Sequence, residues 1–170
     1  MPLVPIVLPT QSVSMRLLAT FLLLVSLATA AEVEFVRIWP SWRTTKSFVR
    51  ISEYFGGEEN TGRQTMLRTQ PENRTGYYFL TRTRNPGPAK EGVKFVLDII
   101  TPDSPLTKTY TFSTILPSGG HVFNLGLTGK DWAGENVKPV AWRLRLLDAD
   151  EHELTFGESF LWRMTDAATR

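Results

Sequence analysis

Apolar and polar residues alternate with a period of two along most of the chain beyond residue 30, the repeat of a strand with one buried face. The pattern is most sustained over 139–164 (PVAWRLRLLDADEHELTFGESFLWRM). Val140, Trp142, Leu144 and Leu146 share one side there, while Arg143 and Arg145 take the other. The polar cluster 148–151 (DADE) breaks the run as a turn would, since Asp bonds readily to its own backbone. Leu154, Phe156, Phe160, Trp162 and Met164 then resume the alternation. Only Glu158, beside Gly157, is out of step, a pair that suits a bulge or a change of sheet. The spacing predicts a long antiparallel hairpin forming the hydrophobic spine of the domain, with Trp142 and Trp162 inside.

Shorter segments of the same kind precede it. Strands are expected at 33–39 (VEFVRIW), ended by Pro40-Ser41, and at 47–55 (SFVRISEYF), with Val49, Ile51 and Phe55 on one face. A weaker one is expected at 63–69 and a clear one at 76–84 (GYYFLTRTR), rich in aromatic and β-branched residues. Residues 92–101 place Val93, Phe95, Leu97 and Ile99 inward. Residues 106–116 place Tyr110 and Phe112 inward and Thr107, Thr109, Thr111 and Ser113 outward. Residues 121–127 carry Phe123, Leu125 and Leu127. Gly, Pro, Asn and Asp separate the strands at roughly ten-residue intervals, and no segment outside the leader repeats with a 3.6-residue apolar period. This is an all-β pattern, favouring an antiparallel β-sandwich or a barrel. In strand count and length the chain resembles an immunoglobulin-like or fibronectin-III-like sandwich, without the inter-sheet cysteine pair.

The N-terminus changes the domain count. Met15-Arg16, the apolar run 17–27 and Ala28-Thr29-Ala30 make a positive residue, a hydrophobic segment and a small-x-small site, the parts of a secretory signal peptide. A signal-peptide helix is therefore expected within 1–30, with 1–14 an over-extended start ahead of Met15. The single β-sandwich domain is expected at 31–170, secreted or periplasmic, with no stable membrane span once the leader is cleaved. Losing Arg16 with the leader lowers the formal net charge from +2 to +1, which is no nucleic-acid footprint. Basic residues outnumber acidic ones, 11 to 7, over 31–94, and the balance reverses to 7 against 10 over 95–170. Cysteine is absent, which removes disulfides, thiol chemistry and cysteine-based metal sites.

Catalytic signals are sparse. The two histidines, His121 and His152, come without a nucleophile motif. His152 stands in the polar turn with Asp150, Glu151 and Glu153, where neighbouring side chains diverge, so no metal site is expected. The run 126–131 (GLTGKD) fails as a phosphate loop, having Asn124 at the first glycine position and Asp131 where Ser or Thr should bind magnesium. Asp148/Asp150 and Glu58/Glu59 lack apolar neighbours to raise a carboxyl pKa. Asn73-Arg74-Thr75 fits the short acceptor pattern for N-glycosylation.

The tryptophans offer the remaining chemistry. Trp132 stands in a polar loop with Lys130 and Asp131. There it either plugs an open end of the sandwich or offers a binding face, an exposed indole combining apolar area with a donor. Trp42, Tyr77, Trp132, Lys130 and Asp131 are the candidate ligand-binding residues. No catalytic residue, metal or cofactor is expected. The sequence points to a non-catalytic module with a binding or structural role and a protein or glycan partner. One alternative is a carbohydrate-binding module using exposed aromatics. Another is an assembly partner that takes an extended segment at a sheet edge.

Overall fold

The computed structural model describes residues 32–56 and 61–168. The leader expected over 1–30 lies outside the described residues. The chain forms β1 (Glu34–Arg43), a 3-10 turn (Thr45–Ser47), helix α1 (Ile51–Gly56), β2 (Gln64–Arg68), β3 (Gly76–Asn85) and β4 (Lys90–Thr101). It continues through β5 (Ser104–Leu116), β6 (Gly119–Thr128), a second 3-10 turn (Gly129–Asp131), β7 (Ala141–Leu147), β8 (Glu153–Glu158) and helix α2 (Phe160–Ala168). The strands make two four-stranded sheets, β1-β3-β6-β2 and β5-β4-β7-β8. All neighbours are antiparallel except β2, which runs parallel to β6. The fold is an all-β sandwich.

Period-two alternation explains the seam between the layers. Tyr77 and Phe79 of β3, with Phe123, Leu125 and Leu127 of β6, face Val93, Phe95, Leu97 and Ile99 of β4 and Leu144 and Leu146 of β7. Rings interlock across the gap: Phe95 meets Phe123 with centroids 4.8 Å apart, and Phe79 meets Trp142 edge-on at 5.4 Å. Such pairs add about 0.5–1.5 kcal/mol to the burial of their apolar area. A register shift in β1 between Phe35 and Arg37 lets Phe35 and Ile38, of opposite parity, both reach this seam.

Four expectations need correction. Pro40 does not end β1, which runs on to Arg43 opposite Gly76. β1 is an edge strand, where a missing backbone N–H is tolerated. Residues 47–55 are not a strand: they hold the end of the first 3-10 turn and most of α1. The second arm of the C-terminal ribbon is about half as long as expected, ending at Glu158. A register shift between Leu146 and Leu147 opposes Arg145 to Phe156, so the Phe156 ring points outward beneath the Arg143 guanidinium, 5.0 Å from its centroid. Beyond Glu158 the ribbon coils into α2, carrying Phe160, Trp162 and Met164 with it. Ser159 caps that helix, its Oγ accepting from the Trp162 N–H at 3.3 Å. It also ties the helix to β7, because the same Oγ accepts from the Trp142 N–H at 3.0 Å. Trp142 packs against the core as expected, while Trp162 is half-buried on a helix outside it.

Candidate functional site

The sequence-selected aromatics do come together, but inside the molecule. Trp42 and Tyr77 are cross-strand partners on the inward face of β1 and β3. Trp132 folds back from the second 3-10 turn onto Tyr77, ring on ring, with centroids 4.6 Å apart and planes 27° from parallel. Its indole N–H donates to the Gly134 carbonyl at 3.0 Å, and only 6% of the residue is exposed. Trp132 is thus the plug of this end of the sandwich, and Tyr77, also buried, has its hydroxyl pKa raised by desolvation. Asp131 braces the plug through its carbonyl, which accepts from the Tyr110 hydroxyl at 3.4 Å, and its carboxylate accepts from Gln70 at 3.3 Å. Lys130 is exposed. The five residues share one end of the fold without forming a solvent-facing stacking platform.

The open site lies elsewhere, on the outer face of the β1-β3-β6-β2 sheet. There the run 77–80 (YYFL) abandons alternation, because both faces of β3 are covered. Tyr78 points away from the core yet is only 1% exposed. The segment that follows β1 crosses over it as a strap. Phe48 packs on its ring at 4.7 Å, its hydroxyl donates to the Arg74 carbonyl at 2.7 Å, and Arg68 Nε donates to that hydroxyl at 2.9 Å. Gly126 on β6 lies directly beneath the Tyr78 ring, where a Cβ would overlap it. Glu53 on α1 pairs with Arg74 at 2.7 Å, with the Glu53 side chain 9% exposed, which fastens the helix to the same layer. Thr45 and Thr75 close the strap through their hydroxyls, 2.9 Å apart.

Beside this layer the strap stands off the sheet and leaves a cavity of about 240 Å³. Its floor is the outward face of the sheet, Leu80, Asn124, Gln64 and Met66, and its wall is Phe48, Val49 and Thr61. Arg43, at the end of β1, and Arg50, just before α1, supply two guanidinium groups. Asn124 Nδ2 donates to Gln64 Oε1 at 2.8 Å, which fixes the orientation of both amides in the floor. Gly62 has a φ of +66°, a conformation that favours glycine, and the Arg50 guanidinium rests against it where a Cβ would project. Among the described residues no carboxylate pairs with Arg43 or with the Arg50 side chain. A concave site with apolar walls and a few convergent polar groups is how small-ligand sites are built. None of Trp42, Tyr77, Trp132, Lys130 or Asp131 lines it.

Two other groups of titratable side chains are tied into the fold by hydrogen bonds. His121 Nε2 lies 2.9 Å from the Thr65 hydroxyl, its ring edge-on to Phe123, and desolvation holds its pKa below the usual histidine value. Asp148, Asp150 and His152 bring three ligand atoms within 4.8 Å of one another. One carboxylate oxygen of Asp148, however, already accepts the backbone N–H groups of Asp150 and His152, each at 2.9 Å. That accounts for the lowered Asp148 pKa and marks the cluster as the turn of the β7–β8 hairpin. Glu58 and Glu59 lie outside the described residues. Among those residues, no helix is long and apolar enough to cross a membrane. Compared with family models and with curated proteins, the chain matches none.

Proposed function

We propose that the chain is a non-catalytic binding module of the secreted or periplasmic space, built as an immunoglobulin-like or fibronectin-III-like sandwich, that holds a small anionic ligand in the cavity beneath the strap. The observation that carries this reading is the convergence of Arg43, Arg50, Gln64 and Asn124 on one concave surface walled by Phe48. Guanidinium forks match carboxylates in geometry and charge, and amides match hydroxyls. At roughly 30 Å³ per water, the cavity displaces about eight waters, the size of a single sugar ring or a short hydroxy acid. The leader pattern supports export and the two antiparallel-rich sheets support the architecture. Of the glycan readings, this geometry favours acidic sugars held by charge over neutral chains stacked on indoles, since Trp132 and Tyr77 are buried.

The test is calorimetric titration with paired probes: glucose against glucuronate, and galactose against galacturonate. The uronates should bind and their neutral partners should not. Replacing Arg43 or Arg50 with Ala should weaken binding about ten- to a hundredfold, the worth of a charged hydrogen bond of about 1.5–3 kcal/mol. Equal response to neutral and acidic sugars, or binding indifferent to both arginines, would refute the proposal.

A further inference from the structure

The cavity floor continues across the outer face of the β1-β3-β6-β2 sheet. Leu80, a floor residue, lies opposite Trp39 on β1 and Asn124 on β6. The next row, about 7 Å further along the strands, sets Arg37 opposite Arg82, Arg82 opposite Val122, and Val122 opposite Gln64 of the floor. Strand alternation puts these side chains away from the core, and Thr81 and Thr83 on either side of Arg82 are buried. Trp39, Arg37 and Arg82 are exposed. Like charges directly opposite each other on a ladder are unfavourable. The neighbouring row relieves its arginine, because Arg84 pairs at 2.7 Å with its own cross-strand partner, Glu34. Among the described residues no carboxylate does the same for Arg37 or Arg82. The Arg37 guanidinium lies instead over the Trp39 ring, 4.3 Å from its centroid. Stacking of this kind uses the face of the guanidinium and leaves its in-plane N–H groups for an anion.

We infer that Arg37 and Arg82 form a second anion subsite beside the cavity, and that the ligand is an acidic oligosaccharide with one carboxylate on each ring. Its terminal ring occupies the cavity, and the carboxylate of the next ring lies between the two guanidinium groups, where it removes their mutual repulsion. The inference rests on the reading of the cavity as a uronate site and extends it from a single sugar to a chain. The distribution of charge selects this occupant. Arg43 and Arg50 stand at the cavity, Arg37 and Arg82 stand in the next row, and uncharged Leu80 and Trp39 lie between them. A ligand that matches this order carries its charges at intervals, separated by an uncharged ring. A flat anionic bilayer cannot enter a cavity walled by Phe48 and Thr61. A nucleic-acid strand needs an open aromatic face for its bases, and the Arg37 guanidinium already lies on that of Trp39.

Calorimetric titration of the full chain with galacturonate and with digalacturonate separates the two subsites. Digalacturonate should bind about tenfold tighter than galacturonate, the worth of one added charged hydrogen bond. Arg82→Gln and Arg37→Gln should each remove that gain and leave galacturonate binding as in the parent, whereas Arg43→Ala should weaken both ligands. Arg82→Gln should also leave the urea midpoint unchanged or raise it, because it removes one of two opposed like charges. Digalacturonate that binds no tighter than galacturonate overturns the second subsite and leaves the cavity reading standing. If neither ligand binds, the cavity reading fails and this inference falls with it. A gain that survives both Arg37→Gln and Arg82→Gln places the second carboxylate elsewhere and overturns the inference. So does a short oligothymidylate that gains as much from the two arginines, since the row would then be a general polyanion surface.

Discussion

Truncating Trp132 to alanine tests whether the loop indole closes the sandwich. A buried tryptophan removes about 150–250 Å² from water, worth roughly 4–6 kcal/mol at about 25 cal/mol per Å². The face-to-face contact with Tyr77, at 4.6 Å, adds about 1 kcal/mol. The residue sits just after a short 3-10 turn in an irregular segment that can partly collapse, which returns some of this. We therefore expect Trp132→Ala to cost about 3–4 kcal/mol. Trp132→Phe keeps the stack and loses the indole N–H bond to Gly134, and should cost about 1 kcal/mol. Urea unfolding followed by far-UV circular dichroism reads both, with the slope against denaturant unchanged if only stability has moved. An Ala variant within about 0.5 kcal/mol of the parent, the range for ordinary surface positions, would refute the plug and restore Trp132 as a solvent-facing platform.

Three further outcomes follow from the geometry. His121 titrates below its unfolded value, so the unfolded chain binds more protons between the two pKa values. Its contribution is fully present above about pH 6.5 and falls away as the pH drops towards the folded value; His121→Gln should flatten this part of the stability–pH curve, and an unchanged slope would contradict the burial account. Asp98, 7% exposed on the outer face of the β5-β4-β7-β8 sheet, accepts from Arg145 at 2.8 Å and from Thr109 at 2.6 Å. Asp98→Ala removes both bonds and should cost about 2 kcal/mol by chemical denaturation, whereas Thr109→Val removes one and should cost about 1. Gly126→Ala drives a methyl into the Tyr78 ring, which Phe48 and two hydroxyl bonds hold in place. Overpacking of this kind costs about 1–3 kcal/mol. Because Phe48 also lines the cavity, uronate binding in the same calorimeter should weaken together with stability.

The inner layers of the molecule are written plainly in its sequence. Val93, Phe95, Leu97 and Ile99, like Phe123, Leu125 and Leu127, alternate because one face of each strand meets the opposite sheet and the other does not. The outer layer is written less plainly. Phe48, Ile51 and Phe55 are spaced three and four apart, as a helix requires, yet Val49, Ile51 and Phe55 also fit a period of two. Over nine residues the two repeats cannot be told apart, and the tertiary setting decided for a short helix. Phe160, Leu161 and Met164 repeat the ambiguity, with Ser159 in front as the helix-start signal. The unbroken run 77–80 was the visible sign that something covers the outside of β3, since a strand buried on both faces loses its alternation. The cavity itself left no such sign. Arg43, Arg50, Gln64, Leu80 and Asn124 come from five separate segments, each ordinary in its own surroundings, and only the parallel pairing of β2 with β6 brings Gln64 beside Asn124.

The most direct test of the account is a nuclear Overhauser spectrum of the aromatic side chains. The two-layer arrangement predicts strong cross-peaks between Phe95 and Phe123 and between Phe79 and Trp142, across the seam, and between Tyr77 and Trp132 at its end. It also predicts a Tyr78–Phe48 cross-peak on the outer face, where the strap crosses the sheet. Absence of the Phe95–Phe123 and Phe79–Trp142 contacts would mean that the sheets do not face each other through these rings, and the sandwich with its strap-covered cavity would be the wrong structure.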